Sequence, residues 1–234
     1  AEELIKICKA NNVKLSVISQ HRFDSAVQWV KKEIGYGSLG NLLLGNVSIK
    51  WNRSKDYYES SEKWRKFNKL SGGGVLILQA IHYIDLLLWI FGEVKSVYGK
   101  IETKLHNIEG EDTAVAVIKF KSGAIATLEA TTTSIKTLND RLEIHGTKGS
   151  VVLEGTKITN RIKTINLEKN KIKKRLKSYL IFKRGSIKDQ IRDFISAISN
   201  NKEPFITGED GKKALDVVLS IYKSSKSNKE INLN

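Results

Sequence analysis

The stretch Gly72-Gly73-Gly74-Val75-Leu76-Ile77-Leu78-Gln79-Ala80-Ile81-His82-Tyr83-Ile84-Asp85-Leu86-Leu87-Leu88-Trp89-Ile90-Phe91-Gly92 decides how the rest of this 234-residue chain is read. A glycine run opens it and one glycine follows its last apolar residue, the punctuation of a helix that starts and stops there. At about 100° per residue the apolar side chains from Val75 to Phe91 cover every face, so the helix is expected inside a core. Gln79, His82 and Asp85 break that cover within an arc of roughly 120°. A buried polar group without a partner costs on the order of 1–3 kcal/mol and a buried charge more, so three on one side require polar company. The plainer account of His82 is a core imidazole bonded to a backbone carbonyl. A membrane span is disfavoured, because the apolar run is short and carries Gln, His and Asp.

Upstream, residues 2–11 have helical spacing with Leu4, Ile5 and Cys8 on one face, and residues 14–19 read as a strand. Asp24 is placed to cap a helix over 25–34, whose Ala26, Val27, Val30 and Ile34 recur at core spacing. Residues 41–51 alternate as a strand and deliver Trp51-Asn52-Arg53 to its end. A polar, aromatic-rich connection over 54–71 follows, with Tyr57-Tyr58 and Trp64-Arg65. Connections this long are often functional, although each aromatic residue could simply cover the central helix.

Downstream, strands are expected at 94–104, 113–120, 124–133, 138–145, 150–153 and 157–160. Hairpin-length turns at 121–123 and 146–149 make an antiparallel sheet the natural arrangement. Alternation of apolar with charged or polar residues puts one sheet face on the helices and the other on solvent or a second subunit. Two helices end the chain, at 187–199 with Ile191, Phe194, Ile195 and Ile198 on one side, and at 211–223 with Leu215, Val218, Leu219 and Tyr222.

The composition bounds the function. A single cysteine, Cys8, excludes a disulfide framework and a cysteine-based metal site, and neither His106 nor His145 has metal-ligand spacing, so no metal is expected. The formal charge of +15 is concentrated between Arg161 and Lys188, where 11 Lys or Arg face one acid, Glu168. Such a run is usually a solvated face, and here it could also attract an anionic substrate; without an aromatic platform or a nucleic-acid motif, nucleic acid is not the expected partner. Nothing at the N-terminus resembles a signal peptide, so the cytoplasm is the default. There is no methionine, and the chain reads as part of a longer protein.

The run from Gly72 to Gly92 closely resembles the signature helix of the glucose-fructose oxidoreductase and inositol dehydrogenase family (Gfo/Idh/MocA). Glu111-Asp112-Thr113-Ala114 and Arg141-Leu142-Glu143-Ile144-His145-Gly146-Thr147 are similar to that family's substrate domain. The resemblance implies an α+β domain over 21–234, a large mostly antiparallel open sheet with helices on one face. Residues 1–20 would be the last helix and strand of a Rossmann dinucleotide fold that is otherwise missing. In agreement, no G-x-G-x-x-G follows a strand. The family's Glu-Lys-Pro, with its catalytic lysine, would lie just upstream of Ala1.

The order Trp-Asn-Arg, Tyr-Tyr, Trp-Arg, Gly-Gly-Gly resembles the sugar-nucleotide branch, which oxidises the 3-hydroxyl of UDP-N-acetylglucosamine or its uronic acid with NAD or NADP. By that resemblance His82 is catalytic and works with the missing lysine: His82 is the chosen base, but either could take the proton while the other polarises the oxygen. Gln79 contacts the sugar or nicotinamide, and Asp85 supports His82 or a lysine. Trp51, Arg53 and Tyr58 meet the sugar nucleotide, Arg53 because a guanidinium suits a phosphate or uronate. Gln20 and Arg22, in Gln20-His21-Arg22-Phe23, reach the cofactor. A homo-oligomer, dimer or tetramer, would form through the sheet face. The polyol branch carries a catalytic Asp four residues before the His, where Leu78 stands here. That favours the sugar-nucleotide branch over other sugar or polyol dehydrogenases, and leaves open a non-catalytic sugar-binding or oligomerisation module.

Overall fold

The computed structural model describes residues 1–155, 159–165, 180–183 and 187–233; side chains are described for these apart from Ser61 and the residues at 159–165 and 180–183. The helices are α1 Glu2–Ala10, α2 Ser25–Gly35, α3 Lys55–Glu59, α4 Asn68–Ser71, α5 Ile81–Phe91, α6 Ile187–Ser199 and α7 Gly208–Ser227. The strands are β1 Leu42–Lys50, β2 Val94–Glu102, β3 Thr113–Phe120, β4 Ile125–Thr131, β5 Asp140–Gly146, β6 Ser150–Gly155, β7 Thr159–Ile165, β8 Leu180–Lys183 and β9 Ile231–Asn232. They form one open sheet in the order β8-β7-β6-β5-β1-β4-β3-β2-β9. Every neighbouring pair is antiparallel except β1 and β4, whose parallel register runs from Leu44 against Ile125 to Lys50 against Thr131.

The period-two pattern of the strands sorts their side chains. Ala114, Ala116, Ile118 and Phe120 of β3 are buried against the helices, while Val115 and Val117 between them are 51% and 46% exposed on the other face. Helix α5 lies at the centre of the core, with Ile84, Leu86 and Leu87 at most 1% exposed. The segment Asn68–Phe91 has the length and composition of a membrane span, yet most of it is packed inside the fold.

The start of this central element is built on close backbone contact. The Glu111 carboxylate accepts from the backbone N–H of Gly74 at 3.0 Å and Leu76 at 2.8 Å and from the Tyr222 hydroxyl at 3.0 Å, while the Glu111 carbonyl accepts from Val75 N–H at 2.8 Å. These satisfy donors that a helix N-terminus leaves free. Gly92, at φ +89°, ends the helix as its position predicts.

Four expectations change. The central element is not uniformly α-helical: Leu76–Ala80 forms a π turn before α5, so the even 100° spacing fails ahead of His82. Residues 14–19 form no strand with any of the described residues. They are tied instead to α6 by Gln190, which accepts from Ser19 N–H at 3.0 Å and donates to the Val17 carbonyl at 2.6 Å. Asp24 sits at the N-cap of α2 but makes no capping bond there. The apolar stripe of α6 does not enter the core, since Ile191, Ile195 and Ile198 are 47–57% exposed. Apart from Lys188, the basic run at 161–188 lies outside the residues whose side chains are described.

Candidate functional site

His82 is the second residue of α5, just after the π turn. Its ring is largely buried and has no hydrogen bond to protein among the described residues; it meets the His21 ring edge-on, with centroids 5.9 Å apart. Burial and the neighbouring His21 push its pKa down to about 4, so the imidazole is neutral at neutral pH and able to accept a proton. His21 is itself held by a contact between its Nδ1 and Asp24 Oδ2 at 3.1 Å.

This depression couples stability to pH. The folded pKa, about 4, lies below the ordinary value of 6.5, so only the unfolded state gains a proton between them. The contribution is fully present above about pH 6.5 and is lost as pH falls toward 4. A depression of that size is worth up to about 3 kcal/mol. The urea midpoint should therefore drop across this window, and His82→Phe should flatten the drop; an equally steep drop in the variant would exclude His82 as its cause.

Gln79, one turn before His82, is 3% exposed. Its Nε2 donates to the Tyr57 hydroxyl at 3.0 Å, whereas its Oε1 is buried without a partner. The Tyr57 ring lies 4.7 Å from the Arg53 guanidinium and 4.6 Å from that of Arg65. Arg53 also stacks on Trp51 at 4.7 Å and Arg65 on Trp64 at 4.4 Å. Arg53 and the connection at 54–71 thus bring two cations and their aromatic platforms to the π turn that carries Gln79.

Asp85 does not support His82. Arg22 Nε and Nη2 donate to its two carboxylate oxygens at 2.8 and 2.6 Å, and Nη2 also contacts Asp210 at 3.3 Å. Arg22 is 4% and Asp85 1% exposed, so this pair pins the 20–23 turn to the central helix and commits Nε and Nη2 of the guanidinium to carboxylates. Burial raises the Asp85 pKa, opposed by the Arg22 bonds and charge. Arg22→Ala would strand a buried carboxylate and should cost about 3–5 kcal/mol in urea denaturation. Combining Arg22→Met with Asp85→Leu should recover most of that loss, and a single-variant cost below about 1 kcal/mol would refute the pin.

Tyr58 is likewise structural. It is 4% exposed, with its hydroxyl 2.8 Å from Thr132 Oγ1 and its ring against His106, so Tyr57 faces the site in its place. Trp51 donates its indole N–H to Asp140 Oδ1 at 2.5 Å and presents its ring to Arg53. Gln20 Oε1 is buried and unpartnered, a free acceptor at the edge of the 20–23 turn. Tyr57, Arg65 and His21 were not singled out as site residues, although Tyr57 and His21 each adjoin one that was. His106 Nε2 lies 3.3 Å from the Thr132 carbonyl and His145 Nδ1 lies 2.8 Å from Ser150 Oγ. Among the described residues no group of three His, Cys, Asp or Glu could hold a metal ion.

Comparison with known proteins gives a consistent picture. Residues 31–233 match the family described as oxidoreductase family, C-terminal alpha/beta domain. Myo-inositol 2-dehydrogenase of Thermotoga maritima is 24% identical over 237 residues, covering 99% of this chain and 68% of that protein. Levoglucosan dehydrogenase of Pseudarthrobacter phenanthrenivorans is 28% identical over 170 residues, 62% of this chain and 43% of its own length. The solved WlbA dehydrogenase from Bordetella pertussis, in complex with NADH and UDP-GlcNAcA, superposes with a TM-score of 0.83 at 29% identity, over 100% of this chain and 67% of that one. The chain therefore spans about two thirds of the length of the relatives it matches from end to end.

Proposed function

Because the chain belongs to the Gfo/Idh/MocA oxidoreductase family, we propose that it is the substrate domain of an NAD- or NADP-dependent sugar or sugar-nucleotide dehydrogenase, oxidising the 3-hydroxyl of a UDP-N-acetylglucosamine-type substrate. The observation that carries this reading is His82: a neutral imidazole without a hydrogen bond to protein among the described residues, one turn from the unpartnered oxygen of Gln79. Such a ring is unprotonated and uncommitted at neutral pH, so it can meet a substrate hydroxyl.

The nicotinamide supplies the hydride acceptor when bound. Gln20, with its free Oε1, fits a polar edge of that group; Arg22 does not, being held by Asp85 and Asp210. His82 takes the hydroxyl proton, Gln79 Oε1 holds a neighbouring hydroxyl, and Arg53 meets an acidic group. Leu78, which cannot accept a proton, leaves the work to His82 and to a lysine of the preceding domain.

Residues 1–20 are assigned to the end of that dinucleotide-binding domain. Leu4, Ile7, Val17 and Ile18 are exposed there, as are Ile191, Ile195 and Ile198 on α6, an apolar surface suited to a covering domain. On the open sheet face, exposed Leu44, Tyr98, Val115, Val117 and Ile125 suit a homo-oligomer, which sedimentation of the intact protein would test against a monomer.

The deciding experiment mixes the intact oxidoreductase with NAD or NADP and UDP-GlcNAcA or UDP-GlcNAc and follows absorbance of the reduced nicotinamide. Growth of that absorbance with either pair supports the reading. Sugar binding without any reduction would instead favour the non-catalytic module to which Leu78 also points.

A further inference from the structure

Among the described residues four buried side-chain nitrogen or oxygen atoms lack a hydrogen-bond partner, and three of them, Arg53 Nε, Arg65 Nε and Gln79 Oε1, belong to side chains that contact Tyr57. Neither guanidinium has a described carboxylate within 4 Å; each instead sits on two aromatic rings. Two cations gathered beside one ring repel each other, and buried polar atoms left unpaired cost stability unless a ligand meets them. A tightly packed platform without a counter-ion is better suited to binding than to holding the fold.

We propose that Arg53 and Arg65, stacked on Tyr57, clamp an oxyanion carried on the sugar ring, while Gln79 Oε1 accepts from a ring hydroxyl. The site is then built for an anionic sugar, a specificity that rests on His82 being where the hydroxyl reacts. Gln79 stands three residues before His82 and donates to the Tyr57 hydroxyl, so it links the clamp to the reacting position. The forked guanidinium suits a carboxylate or a phosphate equally. Either a ring carboxylate or a phosphate ester on a neighbouring carbon is the shared oxyanion chemistry.

Calorimetric titration of the intact oxidoreductase, with NADH present, separates these. Arg53→Gln and Arg65→Gln should each weaken UDP-GlcNAcA by about 10–100-fold, with Arg65→Lys intermediate because it keeps the charge but loses the fork. If the ring carboxylate is clamped, UDP-GlcNAc binds the unaltered protein more weakly and the variants do not weaken it further. If the phosphate is clamped, both ligands lose equally in the variants. Affinities within twofold of the unaltered protein for both ligands, in variants whose melting is unchanged, overturn the clamp, as does failure of the unaltered protein to bind either ligand. Should Arg65→Gln not fold, Arg53→Gln and Arg65→Lys decide. Arginine-dependent binding without hydride transfer would keep the clamp and reject the dehydrogenase reading, whereas turnover that is indifferent to both arginines would do the reverse.

Discussion

In the intact oxidoreductase, His82→Asn is expected to lower kcat for the sugar substrate by about 10²–10⁴-fold while changing KM little. The loss corresponds to about 3–5 kcal/mol of barrier at roughly 1.4 kcal/mol per decade. Asparagine keeps a polar group of similar reach but cannot take up a proton. Nothing on the same helical turn can substitute: Leu78 is inert, Asp85 is committed to Arg22 and Gln79 does not titrate. His21 stands beside the site, but its Nδ1 is engaged with Asp24. Because the His82 pKa is about 4, its protonation should not limit the rate at neutral pH, and an acid limb due to this ring belongs well below pH 6. Undiminished turnover by His82→Asn would remove the imidazole from the chemistry.

Among the glycines whose surroundings are described, Gly74→Ala should be the most damaging substitution. A Cβ at this position would lie 1.8 Å from the Glu111 carbonyl oxygen and 2.5 Å from its nitrogen, and backbone atoms cannot swing aside as a flexible side chain can. Gly110, in the segment before β3, is also in close contact there, since its own Cβ would meet Gly74 N at 2.6 Å. Relief requires the Glu111 segment to move off the helix start, releasing the hydrogen bonds that hold Gly74, Val75 and Leu76. A destabilisation above about 4 kcal/mol, or no folded protein at all, is expected in urea titration. Gly72→Ala is the control. Gly72 has φ +81° but open space around it, with Ile77 Cγ2 at 3.8 Å, so only the left-handed backbone is penalised, by roughly 1–2 kcal/mol. If Gly74→Ala were no worse than Gly72→Ala, the close packing would not matter.

Elements whose signals are local could be read from the sequence. The glycine-bounded apolar run, the alternating strands and the short turns all depend on neighbours a few residues apart, and they locate the central helix and most of the sheet. Pairing decided at long range could not be read that way. The parallel β1–β4 register joins residues about 80 apart, and the partners of Arg22 lie 63 and 188 positions away. Tyr57 and Tyr58 are adjacent, and which one faces the site depends on how the single turn of α3 is set against Thr132. Periodicity identifies the apolar stripe of α6 but does not reveal whether it meets this chain's core or another surface. The π turn has no composition signal of its own.

The two-residue strand β9 closes the free side of β2, with Ser96 and Val97 opposite Asn232 and Ile231 and a further bond from Leu233 N–H to the Lys95 carbonyl at 2.9 Å. Unpaired edges invite other chains to add on. Substitutions that break the pairing of Ile231 and Asn232 would disturb this seal and offer β2 as a template for precipitation.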